Sequence, residues 1–74
     1  MEFICVLSVG GSLASYQVIK ESETKYSALL QANNGKREDI PAEINLEKEG
    51  VNWKAIPWHE VIVAGITHAI DTNS

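Results

Sequence analysis

The sequence predicts an α+β fold: a five-stranded antiparallel meander-type sheet with one C-terminal helix packed on one face. Three observations carry that prediction. Apolar residues recur with period two through most of the chain, short turn signals interrupt them, and the beat changes to three-to-four after Pro57. The whole of residues 1–74 reads as a single small globular domain.

The first hairpin is the most explicit. Phe3, Cys5, Leu7 and Val9 share one parity, and Gly10-Gly11 then supplies a two-residue turn that tolerates positive φ. Folding back across it sets Val9 against Ser12, Leu7 against Ala14, Cys5 against Tyr16 and Phe3 against Val18. Apolar residues then largely meet apolar ones on one face, so turn chemistry and pattern agree on the register. A second turn falls in the stretch Glu21-Ser22-Glu23-Thr24. With Glu21 opposite Lys25, Val18 meets Ala28 and Tyr16 meets Leu30.

Residues 31–42 have no periodicity and contain Asn33-Asn34-Gly35 and Pro41, the marks of a surface connection. Ile44 and Leu46 then alternate with Glu43, Asn45 and Glu47, and Val51 and Trp53 with Asn52 and Lys54. A four-residue loop over residues 47–50 would pair Leu46 with Val51 and Ile44 with Trp53.

The tail is long and opens with Pro57, a residue that a first helical turn accepts. On a helical projection Trp58, Val61, Ile62, Gly65, Ile66, Ala69 and Ile70 share one broad side, against Glu60, Ala64, Thr67 and Asp71. This is an amphipathic helix suited to covering a sheet. Gly65, in its middle, costs about 1 kcal/mol relative to alanine and permits a close approach to the strands.

A chain this short buries roughly 60–65% of the surface its unfolded form exposes, so its core is thin. It has one cysteine, which excludes an internal disulfide, and Cys5 inside an apolar strand fits a reducing, cytoplasmic setting. The net charge is −4, and the six basic residues form no cluster beyond Lys36-Arg37, which argues against nucleic-acid binding. Ser12-Leu13-Ala14 faintly resembles a cleavage site. Glu2, the absence of a basic leader and Gly10-Gly11 make residues 1–14 part of the folded structure rather than a targeting segment. No run approaches the ~18 apolar residues of a membrane helix, so no membrane partner is expected.

Enzyme chemistry finds no support either. His59 and His68 lie nine positions apart, nearly half a circle round the helix and about 13 Å along it, and cannot share a metal. His59-Glu60 begins like HExxH, but position 63 is Val63. His68 and Asp71 have the spacing of an exposed helix pair near a C-terminus. No nucleophile motif surrounds a serine, and Gly10-Gly11 precedes a strand, where a phosphate loop needs a helix. The expectation is a non-catalytic chain with no metal and no cofactor, and with little room for a ligand pocket.

One feature exceeds what a helix over one sheet face needs. The opposite parity of the first three strands carries Ile4, Val6, Leu13, Ile19 and Leu29 among Ser8, Ser15, Gln17 and Ser27, too apolar for a wet face. Either sheet curvature or the loop around residues 33–40 covers these five, or they form a contact surface for a second copy of the chain or another protein. The contact reading predicts a protein-binding module and a homodimer. The Tyr-x-Val and Tyr-x-Ala pairs (Tyr16, Val18, Tyr26, Ala28) resemble the opening hairpin of HicB-type antitoxins. That family would place a helix soon after the third strand, where this sequence places a second hairpin. The alternative function is accordingly a small acidic neutraliser, antitoxin- or immunity-like. It would present Glu38, Asp39, Glu43, Glu47 and Glu49 to a basic protein partner.

Overall fold

The computed structural model describes residues 2–35 and 39–73. Five antiparallel strands run in sequence order: β1 (Glu2–Val9), β2 (Ser12–Lys20), β3 (Lys25–Asn33), β4 (Glu43–Glu49) and β5 (Asn52–Ile56). One helix, α1 (Glu60–Asn73), follows. The α+β meander read from the sequence is the fold.

The register of β1 on β2 is the one that the double glycine dictates, from Phe3↔Val18 to Val9↔Ser12. Gly10 and Gly11 both take positive φ, 58° and 85°, as a type I′ turn requires. Val18↔Ala28 and Tyr16↔Leu30 likewise form across β2 and β3, and the Glu21 N–H donates to the Lys25 carbonyl at 2.8 Å. Past Tyr16 the register slips by one, so that Ser15 opposes Ala32 and Gln31 is the extra residue of a bulge. Asn33 then stands opposite the buried Ala14, and the chain leaves β3 toward the inner side of the sheet.

That exit decides where the connection goes. Ile40 is 8% exposed and belongs to the core, and the Pro41 carbonyl accepts the Tyr16 hydroxyl at 2.6 Å. The described part of the loop therefore covers the inner face. It does not cover the patch of Ile4, Val6 and Leu13, as one reading of the sequence supposed.

The second hairpin departs from expectation in register. Its pairs are Glu49↔Asn52, Lys48↔Trp53, Glu47↔Lys54 and Leu46↔Ala55, a two-residue turn at Gly50-Val51 in place of the four-residue loop. Gly50, at φ 63°, takes a position that few other residues occupy cheaply, and this pins the tighter turn. Val51 stands at the tip, 91% exposed, and Leu46 meets Ala55. The shift from the expected pairing is an even number of residues, so Ile44 and Leu46 keep their inward faces.

The inner face is built of rows that cross strands: Phe3–Val18–Ala28–Ile44 in one and Tyr26–Leu46–Ala55 in another. Against them α1 lays Ile62, Val63, Ile66 and Ile70, each no more than 1% exposed. Each such side chain contributes roughly 1.5–3 kcal/mol relative to exposure. Gly65 lies against the Leu7 side chain, and a Cβ at Gly65 would collide with it, the close approach that the sequence suggested. The helix face is rotated from the projected one: Val63 is inside, whereas Val61 is 52% and Trp58 60% exposed. The reason is the start. The helix begins at Glu60, with His59 as its cap: Nδ1 accepts the Ile62 N–H at 3.3 Å and the carbonyl accepts the Val63 N–H at 2.8 Å. Trp58 and Pro57 thus precede the helix. Its far end is tied down by Lys48, whose Nζ lies 3.2 Å from Asp71 Oδ1 and 5.6 Å from the centre of the Trp53 ring.

Candidate interaction surface

The helix and the described part of the loop lie on one side of the sheet, and the other side carries the candidate residues. Ile4, Val6 and Leu13 are 56%, 59% and 49% exposed, while Ile19 and Leu29 are half-buried. None of the five sits directly opposite another. Ile4 faces Gln17, Val6 faces Ser15, Leu13 faces Ser8, Ile19 faces Glu2 and Leu29 faces both Gln17 and Glu43. They are instead diagonal neighbours: Leu13 to Val6, Val6 along the strand to Ile4, Ile4 to Ile19, and Ile19 to Leu29. Diagonal positions on one face are within reach of long side chains. The structure therefore brings all five together as one zigzag across three strands.

The polar residues between them are partly engaged with one another. Gln17 Nε2 donates to Glu2 Oε2 at 2.7 Å, Gln31 Nε2 donates to Gln17 Oε1 at 3.4 Å, and the Ser27 hydroxyl donates to a Glu21 carboxylate oxygen. These bonds answer polar groups within the chain and leave the aliphatic zigzag as the part of the surface that gains most by losing water.

The acidic set is arranged differently. Glu38 lies outside the described residues, and Asp39 is exposed on the loop. Glu43 is exposed opposite Leu29, while Glu47 stands between Lys25 on β3 and Lys54 on β5. Glu49 Oε1 is 3.0 Å from Lys54 Nζ, and this hydrogen bond, with the nearby charge of Glu49, raises the Lys54 pKa above its ordinary value. Part of the negative charge is thus already answered by lysines of the same sheet.

A hollow of about 330 Å³ opens over β3, β4 and β5, lined by Glu21, Lys25, Asn45, Glu47, Lys54 and Ile56 together with Tyr26 and Leu46. Its size reaches the lower range of ligand sites, which the sequence gave no reason to expect. Apart from Glu21, which accepts from Ser27, its charged lining is the row of Lys25, Glu47 and Lys54 just described. Among the described residues no three of His, Cys, Asp and Glu gather as a metal site. Cys5 is buried, and burial raises its thiol pKa, which keeps it a protonated core residue. His59 is occupied as a cap, and Asp71 takes Lys48. No helix among the described residues is long and apolar enough to cross a membrane.

Sequence reading missed a second group of exposed apolar side chains, Ile56 (76%), Trp58 and Val61, around the passage from β5 into α1. The signal was present in the run Ile56-Pro57-Trp58, where proline interrupts both periodicities at once and removes its neighbours from either pattern. Compared with family models, with curated proteins and with solved structures, the chain has no significant match.

Proposed function

We propose that this chain is a non-catalytic protein-binding module, and that the open face of its sheet binds a second copy of itself. The observation that carries the reading is the contiguous zigzag of Leu13, Val6, Ile4, Ile19 and Leu29 on a face that neither α1 nor the described loop touches. Monomeric soluble proteins seldom leave a sizeable apolar patch in water. A two-fold contact sets the same patch against itself, and two sheets stacked face to face interdigitate such side chains in a layer about 10 Å thick. The centre of this patch is aliphatic or neutral, with Gln17 and Ser15 between the aliphatic residues and Glu2 and Glu43 at its margins. A copy can therefore approach without burying like charges against each other. The gain matters for a chain of 74 residues, because stacking thickens a core that is thin alone.

Sedimentation at increasing concentration tests this. Wild-type protein is expected to associate, and the association to persist at high ionic strength because the contact is apolar. Leu29→Glu would set a charge in the patch and dissociate it. A wild-type chain that stays monomeric at high micromolar concentration, or a Leu29→Glu variant that associates as wild type does, would sink the face contact. The acidic-neutraliser reading has the weaker support, since Glu47 and Glu49 already face lysines of their own sheet.

A further inference from the structure

The two edges of the sheet are not alike. β5 is short, five residues, carries Lys54 in its middle and runs into Pro57, all devices that discourage another strand from adding to it. β1 has none of these. It is eight residues long, its pairing to β2 is unbroken through eight positions, it holds no lysine, arginine or proline, and its one charge is Glu2 at the end. Among the described residues no strand lies beyond it.

The hairpin geometry says which backbone groups are concerned. In a two-residue turn the flanking pair, here Val9↔Ser12, exchanges both hydrogen bonds, and bonded pairs then alternate along the ladder. Phe3, Cys5, Leu7 and Val9 thus direct their N–H and C=O toward β2. Glu2, Ile4, Val6 and Ser8 direct theirs outward, to the free edge. A row of this kind is complementary to its own copy related by a two-fold axis.

We infer that β1 is a second self-association element, and that two copies join antiparallel through their β1 edges into one sheet of ten strands, five from each. Side-chain matching selects the register. With Cys5 opposite its counterpart, Ile4 exchanges hydrogen bonds with Val6 of the other copy, and Glu2 faces Ser8. On the helix side, Phe3 faces Leu7. Both of these are only partly buried in one chain, at the rim of the core. The pairing extends the core across the axis and keeps the two Glu2 side chains apart, whereas a slip of one residue would turn every apolar side chain to the wrong face. It also places Ile4 and Val6 of both copies side by side, joining their two zigzags into one larger patch. Edge pairing and face stacking together would give a dimer of dimers with perpendicular two-folds.

The inference goes beyond the face contact and is tested apart from it, by amide exchange of the whole chain at low and high concentration. Ile4 and Val6 amides are expected to slow about tenfold or more at high concentration, as edge amides do once they are held in a ladder. Leu29→Glu, which removes the face contact, is expected to leave that protection in place. Val6→Pro removes an outward N–H that β2 does not use, a substitution edge strands tolerate, and is expected to abolish the protection at Ile4. Exchange at Ile4 and Val6 that is independent of concentration would overturn the inference, whether the protein were then monomeric or stacked by its faces alone. Protection that is lost in Leu29→Glu would overturn it as well, because face stacking alone would then account for it, so wild type and Leu29→Glu together decide the matter even if Val6→Pro does not fold.

Discussion

The two faces of the sheet are drawn from the same five strands and the same alternation, yet they have opposite fates. On the inner face, Tyr16, Val18, Ala28 and Ile44 are all 0% exposed, on the side covered by the helix and the described part of the loop. On the outer face no strand residue is fully buried. The difference lies in how apolar residues align across strands. Inner positions form straight rows such as Phe3–Val18–Ala28–Ile44, which a helix can cover along its length. Outer apolar positions alternate with Gln17, Ser15 and Glu43, so they connect only on the diagonal. A diagonal stripe suits the crossing strands of another sheet better than a helix axis. The lesson is that hydrophobic content alone does not assign a face to the core; the row pattern does.

The largest effect that would sharpen this comparison is Ile44→Ala. Ile44 lies on β4, opposite Ala28 and wholly buried, and the small residue opposite it has little to offer a cavity. A loss of about 2–5 kcal/mol is expected, read from the urea midpoint in dilute protein. A loss under about 1 kcal/mol would mean that the inner rows are less tightly closed than their burial indicates.

Tyr16→Phe comes next. The ring stays buried and the inner face stays apolar, while the hydroxyl that ties Pro41 to the sheet is removed. The expected loss is about 1 kcal/mol, because the half-exposed Pro41 carbonyl can turn to water instead. The same measurement made on fragmentation by a protease should show cleavage near residues 39–42 accelerating, since this bond links the loop to the sheet. An unchanged cleavage pattern would show that burial of Ile40 and the Leu30 N–H bond to the Ala42 carbonyl hold the loop without the hydroxyl.

Legibility followed the same physics. The order of elements and the first two turns could be read because Gly10-Gly11 admits few alternatives and because a one-residue slip would expose a whole face. The second hairpin could not be fixed as well. The run Glu47-Lys48-Glu49-Gly50-Val51 allows a turn ending or beginning at Gly50, and an even shift preserves every face, so the alternation was silent between them. The helix face is less legible for a related reason. Apolar residues occupy most of its circumference, and the choice between Val61 and Val63 was made by the His59 cap and by the meeting of Leu7 with Gly65. The outer residues Ile4, Val6, Leu13, Ile19 and Leu29 were legible as a set because parity alone defines them. That the loop would turn away from them was not, since it depends on the Gln31 bulge, which has no marker in composition.

The smallest expected effect is also the one that tests the comparison most directly. Leu13→Ser exchanges an aliphatic side chain for a polar one at a site that is about half exposed in the isolated chain, opposite Ser8 and diagonal to Val6. In protein dilute enough to be monomeric, the change should lie within about 0.5 kcal/mol of wild type, as for surface sites away from packing features. At high concentration it should cost association, because the same side chain then loses its partner across the contact. Stability and assembly are thus predicted to separate at Leu13 and to fall together at Ile44. If Leu13→Ser destabilised the dilute monomer as severely as Ile44→Ala does, the outer face would have to be covered by the chain itself. The contrast between a closed face and an open one would then disappear.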